Sequence, residues 1–167
     1  MEVIHTSQGT SAVNNILKMY AVAEQYKKPY FDASAFLAWI KKEEPNGIKR
    51  WENVGHILTL AEKGQFHIFT STITLAEVHK LRSGPILADE LNGELLAYFE
   101  HEFIELIDVD RMIGEQANAF CRQYGIFPND AIHLACALRV KCDVLLAYDG
   151  RLPTLAIPRL GSKNLKL

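Results

Sequence analysis

Apolar positions recur along this chain at two spacings, every three to four residues and every two. Their alternation lays out a series of helices and strands. From Ser11, the residues Val13, Ile16, Leu17, Tyr20 and Ala21 put an apolar stripe on one helical face. Lys27-Lys28-Pro29 stops that helix, because proline disfavours the helical conformation in the residue before it. Tyr30-Phe31 then reads as a short strand, and Ser34 can cap a helix running to Lys42. After the turn Pro45-Asn46-Gly47, a helix is predicted from Lys49 to Lys63, ended by Gly64. Phe66 to Thr70 is strand-like, and Ser71 or Thr72 opens a helix to Leu81. Beyond the break at Ser83-Gly84-Pro85 come a helix from Leu87 to Phe99, a strand from Phe103 to Val109 and a helix from Asp110 to Tyr124. Asn129 caps a helix to about Lys141, Asp143 to Tyr148 is a buried strand, and Leu155 to Pro158 is a last edge strand.

Strands alternating with helices imply parallel β-α-β units. The expected fold is therefore α/β and three-layered, an open parallel sheet of about four or five strands with helices on both faces. Ligands of such sheets bind at the carboxyl ends of the strands. Residues 1–28 read as an N-terminal extension carrying the amphipathic helix, and residues 29–167 as the folded domain, a size that suits one core.

Composition narrows the class. Apolar residues make up 49% and charged residues 23% of the 167, the mix of an ordinary globular protein. A formal net charge of −2 excludes a polycation, so nucleic-acid binding would need local patches. Cys121, Cys136 and Cys142 form no Cys-x-x-Cys pair, which excludes the usual zinc and disulfide frameworks. No apolar run approaches a membrane span, and the N-terminus lacks a secretory core, so the expectation is a cytoplasmic protein without a membrane partner.

The chemistry lies in four acids. Asp32 follows Tyr-Phe, Glu77 sits in Leu-Ala-Glu-Val, Asp130 in Asn-Asp-Ala-Ile-His-Leu-Ala, and Asp149 follows Leu-Leu-Ala-Tyr. Each lies in apolar sequence at a strand end or helix start, where an unpaired charge is costly. Each also has a plain structural explanation. Asp32 could cap a helix, and Glu77 could pair with Lys80 or Arg82. Asp130 could answer a helix dipole, and Asp149-Gly150 could be a hairpin turn. Four acids at one sheet edge would repel one another unless a hard divalent cation held them.

These contexts resemble the PIN domain family of ribonucleases, including the VapC-type toxins of toxin–antitoxin pairs, over roughly Pro29 to Leu160. Tyr-Phe-Asp-Ala-Ser resembles the family's first strand with its Asp-x-Ser, Leu-Ala-Glu-Val carries the helix glutamate, and Asp-Ala-Ile-His-Leu-Ala resembles the third-acid motif. Ala147 departs from the pattern, standing where the family usually has a hydroxyl. The resemblance implies a PIN-like catalytic domain over 29–167 that hydrolyses RNA phosphodiester bonds with one or two Mg²⁺ or Mn²⁺ ions. It makes Asp32, Glu77, Asp130 and Asp149 the catalytic, metal-binding residues, with Ser34 and His133 in support. Lys80, Arg82, Arg111 and Arg151 are candidate RNA contacts. The implied partners are an RNA substrate, an antitoxin protein and a second copy of the chain in a homodimer. A second reading stays open: a catalytically weak or inactive PIN-fold module that binds RNA or protein. A haloacid-dehalogenase-like phosphatase is disfavoured, because that chemistry wants an acid where Ser34 stands.

Overall fold

The computed structural model describes residues 26–47, 49–79, 84–148 and, for the backbone, 159–160. Five strands form one parallel sheet: β1 (Pro29–Phe31), β2 (Ile68–Ser71), β3 (Ile104–Ile107), β4 (Val144–Leu146) and β5 (Arg159–Leu160). Their spatial order is β3-β2-β1-β4-β5, with Tyr30 of the central strand in register with both Phe69 and Leu145. The chain builds outward from β1 through β2 to β3, then returns to lay β4 on the other side of β1. The strand order thus reverses between β1 and β4, where open sheets of this kind form a crevice.

Alternation along the strands separates the two faces. Phe31, Val144 and Leu146 point into one core with Phe36, Val54, Ile57, Leu58 and Leu95. These come from α1 (Ala33–Ile40), α2 (Arg50–Glu62) and α4 (Asp89–Tyr98). Tyr30, Phe69 and Leu145 point into the opposite core with Ile113, Leu134 and Cys136, supplied by α5 (Arg111–Tyr124) and α6 (Pro128–Arg139). The expected three-layer architecture is what the chain adopts. Both cysteines in the second core are buried and none of the three forms a disulfide. No helix of the described residues is long and apolar enough to cross a membrane.

Local sequence sets the boundaries that matter. Asp32, rather than Ser34, caps α1 by accepting a hydrogen bond from the Ala35 amide. Asp110 caps α5 in the same way through Ile113, and Gly125 closes that helix in the left-handed conformation, φ 65°. Pro128 occupies the first turn of α6, where its missing N–H costs nothing, and Phe127 is the cap position. Asn129, expected to cap this helix, lies inside it and uses its side chain elsewhere.

The helix after β2, α3 (Ile73–Glu77), is shorter than predicted. It ends at Glu77 because the next residue, Val78, is drawn fully into the core, while the Leu87 amide bonds the His79 carbonyl. The predicted continuation to Leu81 falls partly on residues outside the description. So do the opening helix within 1–28 and the predicted strand over 155–158.

Candidate active site

Asp32 leaves the carboxyl end of the central strand, its backbone N–H still bonded to the Leu146 carbonyl of β4 at 3.2 Å. The carboxyl is 5% exposed. Its Oδ1 accepts from the Ser34 hydroxyl at 2.6 Å and from the Ala35 amide at 3.1 Å. The Ser34 oxygen in turn accepts the Tyr148 amide at 2.9 Å, so one hydroxyl ties the end of β1 to the chain that leaves β4. Ala147 itself is buried in the apolar layer against α6. The hydroxyl that binds the strand ends together therefore comes from α1 and not from β4.

Glu77 arrives on α3, and α3 is sewn to β1. Thr70 donates its hydroxyl to the Phe31 carbonyl at 2.8 Å and lies 2.7 Å from the Thr74 hydroxyl. Glu77 is half-buried. Its Oε1 accepts from the Asn129 side-chain amide at 2.7 Å, and its Oε2 meets His133 Nε2 at 2.7 Å. Asn129 and His133 are four residues apart and share one face of α6. The first turns of that helix clasp the end of α3 from both carboxylate oxygens. Asp130, 8% exposed, stands between the two clasping residues in the sequence.

His133 is buried, and its other ring nitrogen, Nδ1, lies 2.8 Å from the Tyr30 hydroxyl and 3.4 Å from Ser71 Oγ. Tyr30 belongs to β1, two residues before Asp32, so the first strand supports the acid at its own end and, through His133, the acid on α3.

Electrostatics link the two carboxylates. Burial, with a smaller contribution from the Glu77 charge, raises the Asp32 pKa from 3.8 to about 6 against the lowering effects of His133, Ser34 and Ala35. Burial also pushes Glu77 upward, but the hydrogen bonds and charge it receives from His133 and Asn129 outweigh it, leaving its pKa below the ordinary value.

The donor set is all oxygen and anionic, the chemistry of Mg²⁺ and Mn²⁺ rather than zinc or copper. The raised pKa of Asp32 fits a cation as well, since it marks a buried carboxylate short of positive charge. Among the described residues, no three histidine, cysteine or acidic side chains approach closely enough to enclose a metal.

The other expected residues divide. Asp149, Lys80, Arg82 and Arg151 lie outside the described residues. Arg111 opens α5 at the surface in an exposed ion pair with Glu115, at 2.7 Å. Sequence reasoning missed Asn129 and Tyr30 as site residues. The four-residue spacing of Asn129 and His133 around an acid was the available signal for the first.

Comparison with known proteins bears on the same region. The PIN domain family model matches residues 30–158. No curated protein matches the chain. Among solved structures, similarity extends to the sarcin–ricin-loop-cleaving toxin VapC20 of Mycobacterium tuberculosis, at 19% identity and a TM-score of 0.56, over 73% of this chain and 90% of that one. A toxin–antitoxin complex from Klebsiella pneumoniae matches at 18% identity and TM-score 0.55, over 80% and 94%. VapBC2 of Rickettsia felis, bound to a DNA fragment from its promoter, matches at 20% and 0.52, over 79% and 98%. At these identities the likeness concerns the fold. The family match covers most of the chain and includes Asp32, Glu77, Asp130 and Asp149, and on that basis the protein belongs to the PIN domain family.

Proposed function

We propose that this protein is a Mg²⁺- or Mn²⁺-dependent endoribonuclease acting at the carboxyl edge of the sheet, the toxin of a toxin–antitoxin pair. The observation that carries the reading is the placement at one sheet edge of Asp32, buried at the end of β1, and of Glu77, held on both oxygens by the acid-bearing start of α6. Asp32, Glu77, Asp130 and Asp149 hold the metal, directly or through water. A bound divalent ion supplies the charge that activates water and offsets the negative phosphate.

The chain's own residues do the rest. Ser34 holds Asp32 Oδ1, which leaves Oδ2 available to the metal. Asn129 and His133 keep Glu77 ionised, so metal binding there displaces no proton. Each Glu77 oxygen still has a lone pair after these bonds. The similarity of two toxin–antitoxin complexes supports an antitoxin as the protein partner.

The test is cleavage of single-stranded and structured RNA with Mn²⁺ and with EDTA. Cleavage that EDTA abolishes and that Asp32→Asn and Asp130→Asn both lose is the expected result. Cleavage indifferent to EDTA, or retained in both variants, would remove the proposal. Buried Ala147, standing where the family usually has a hydroxyl, favours one second reading. In that reading the domain is a catalytically weak or inactive RNA- or protein-binding module, expected to bind RNA in EDTA as well as in Mn²⁺ and to cut it in neither.

A further inference from the structure

Glu77 is held by a histidine, and that histidine is held by a tyrosine from the far side. An ionised carboxylate accepts hydrogen bonds only, so His133 must present Nε2–H to Glu77 across their 2.7 Å contact. A hydroxyl both donates and accepts, so it can serve the other nitrogen with or without a proton there. The group that fills Nδ1 is the Tyr30 hydroxyl at 2.8 Å, on a side chain with no exposed surface. The two rings also meet edge to face, centroids 5.8 Å apart, which fixes the plane of the imidazole.

Phenylalanine would fill the same space in β1 equally well, and the hydroxyl contributes nothing to the apolar packing around it. From this geometry we infer that Tyr30 is a positioning residue of the metal site. Its hydroxyl, together with the ring contact, fixes the orientation of His133, which aims the Glu77 carboxylate. The inference rests on reading Glu77 as a metal-site acid. Tyr30 is placed to do this because neighbouring residues of a strand face opposite ways. Phe31 enters the core against α1 while Tyr30 faces α6, the helix that carries His133. Partners of this outer kind typically change metal affinity by about 10–100-fold when removed.

The decisive variant is Tyr30→Phe, which deletes one oxygen and keeps the ring. Calorimetry with Mn²⁺ should show wild type binding, Tyr30→Phe binding about 10-fold more weakly and His133→Gln weaker by a similar factor. If Tyr30 acts through His133, the double variant should bind no more weakly than His133→Gln alone. Tyr30→Phe binding as tightly as wild type would overturn the inference, as would losses that multiply in the double variant, since a merely structural role predicts independence.

A metal-free readout separates this inference from the function it rests on. Nitrogen-15 NMR should find His133 presenting Nε2–H in wild type and in Tyr30→Phe alike, since the carboxylate demands it. In Tyr30→Phe the Nδ1 resonance should shift with the loss of its 2.8 Å partner, and the Nε2–H should exchange faster with solvent as the ring loses its hold. Wild type that binds no Mn²⁺ would defeat the proposed nuclease chemistry, while the Nε2–H exchange rate would still decide whether Tyr30 governs the ring. An unchanged exchange rate in Tyr30→Phe would defeat the role of Tyr30 even if every variant bound metal.

Discussion

Asp32 and Glu77 are two acids at one sheet edge, the first buried and the second half-buried, and the protein treats them oppositely. Glu77 has a polar side chain aimed at each oxygen, and its pKa falls. Asp32 has one hydroxyl and one amide on the same oxygen, and its pKa climbs to about 6. The difference is one of burial, deeper at Asp32, and of supply. Three hydrogen-bonding side chains, Asn129, His133 and, behind it, Tyr30, serve the glutamate, which travels on a five-residue helix and would otherwise be poorly anchored. The aspartate is already fixed by the strand it ends and the helix it caps. Its unmet need is charge rather than position, and a divalent cation is what would supply it.

The sharpest way to break the comparison is Asp32→Asn, which should act in opposite directions on activity and stability. If Asp32 ligates the metal as proposed, its replacement should cost more than ~100-fold in RNA cleavage, beyond the range of outer partners. In EDTA the same variant should be more stable than wild type. The sign follows from the raised pKa. Between pH about 4 and about 6 the folded protein holds a proton that the unfolded chain has released, so stability falls as pH rises through that window and stays lower above it. Removing the charge should recover at most about 3 kcal/mol at pH 7.5 and almost nothing at pH 4, read from urea unfolding at both values. Asp32→Asn that is less stable at pH 7.5 would mean the aspartate is not under-compensated.

Glu77→Gln attacks the other side and should show the reverse stability effect. A glutamine can offer its oxygen to only one of the two donors, and its amide then opposes the other. We expect a loss of about 1–3 kcal/mol at neutral pH, the cost of a buried polar group left unmatched. A carboxyl with a depressed folded pKa stabilises above its unfolded value and stops doing so as pH falls. The gap between Glu77→Gln and wild type should therefore narrow on acidification, while that of Asp32→Asn closes from the opposite sign. Unfolding curves of the two variants at three pH values test both slopes together.

How much of this could be read from the sequence follows from the range of each interaction. The alternation Tyr30/Phe31 and Val144/Leu145/Leu146 announces strands with two faces, and the acids after β1 and β2 declare their edge, because strand period and helix punctuation are local properties. The boundaries of α1, α5 and α6 fell within a few residues of expectation for the same reason. The support of Glu77 was not legible, since Asn129 is 52 residues away and its bond exists only once α3 and α6 meet. Asn129 offered a ready local role as a helix cap, and Pro128 made that role unnecessary by moving the cap to Phe127. The tyrosine was hidden more deeply. Its ring reads as core in any strand pattern, and only a partner 103 residues on gives its hydroxyl a purpose.

Ser34→Ala is a gentler perturbation of the aspartate side. It strips Oδ1 of its 2.6 Å partner and leaves the Tyr148 amide without its acceptor. The expected cost is about 1 kcal/mol in stability. The Asp32 pKa should rise further, because a bond that favoured the charged form is gone. Mn²⁺ binding should weaken by roughly 10-fold, at the lower end of the range for such partners. Ser34→Thr should restore all three if the hydroxyl is what matters, and a threonine variant that behaves like alanine would refute the assignment.

Arg111→Ala should have the smallest effect, and it tests the far margin of the site. Arg111 lies at the start of α5, and its side chain is 90% exposed. Its pair with Glu115 is one helical turn long, and exposed pairs of this kind contribute little to folding, so the melting curve should not move. What it can offer is a phosphate contact. Losing one such contact removes about one released counterion, so the slope of log binding constant against log salt should fall by about 0.7 for single-stranded RNA. That slope, measured by RNA titration in EDTA from low to moderate salt, is more telling than affinity at one salt concentration. An altered site would change affinity at every ionic strength alike, whereas a lost phosphate contact changes the gradient. A variant with the wild-type gradient would confine Arg111 to the solvated surface and leave RNA binding to other cations of the chain.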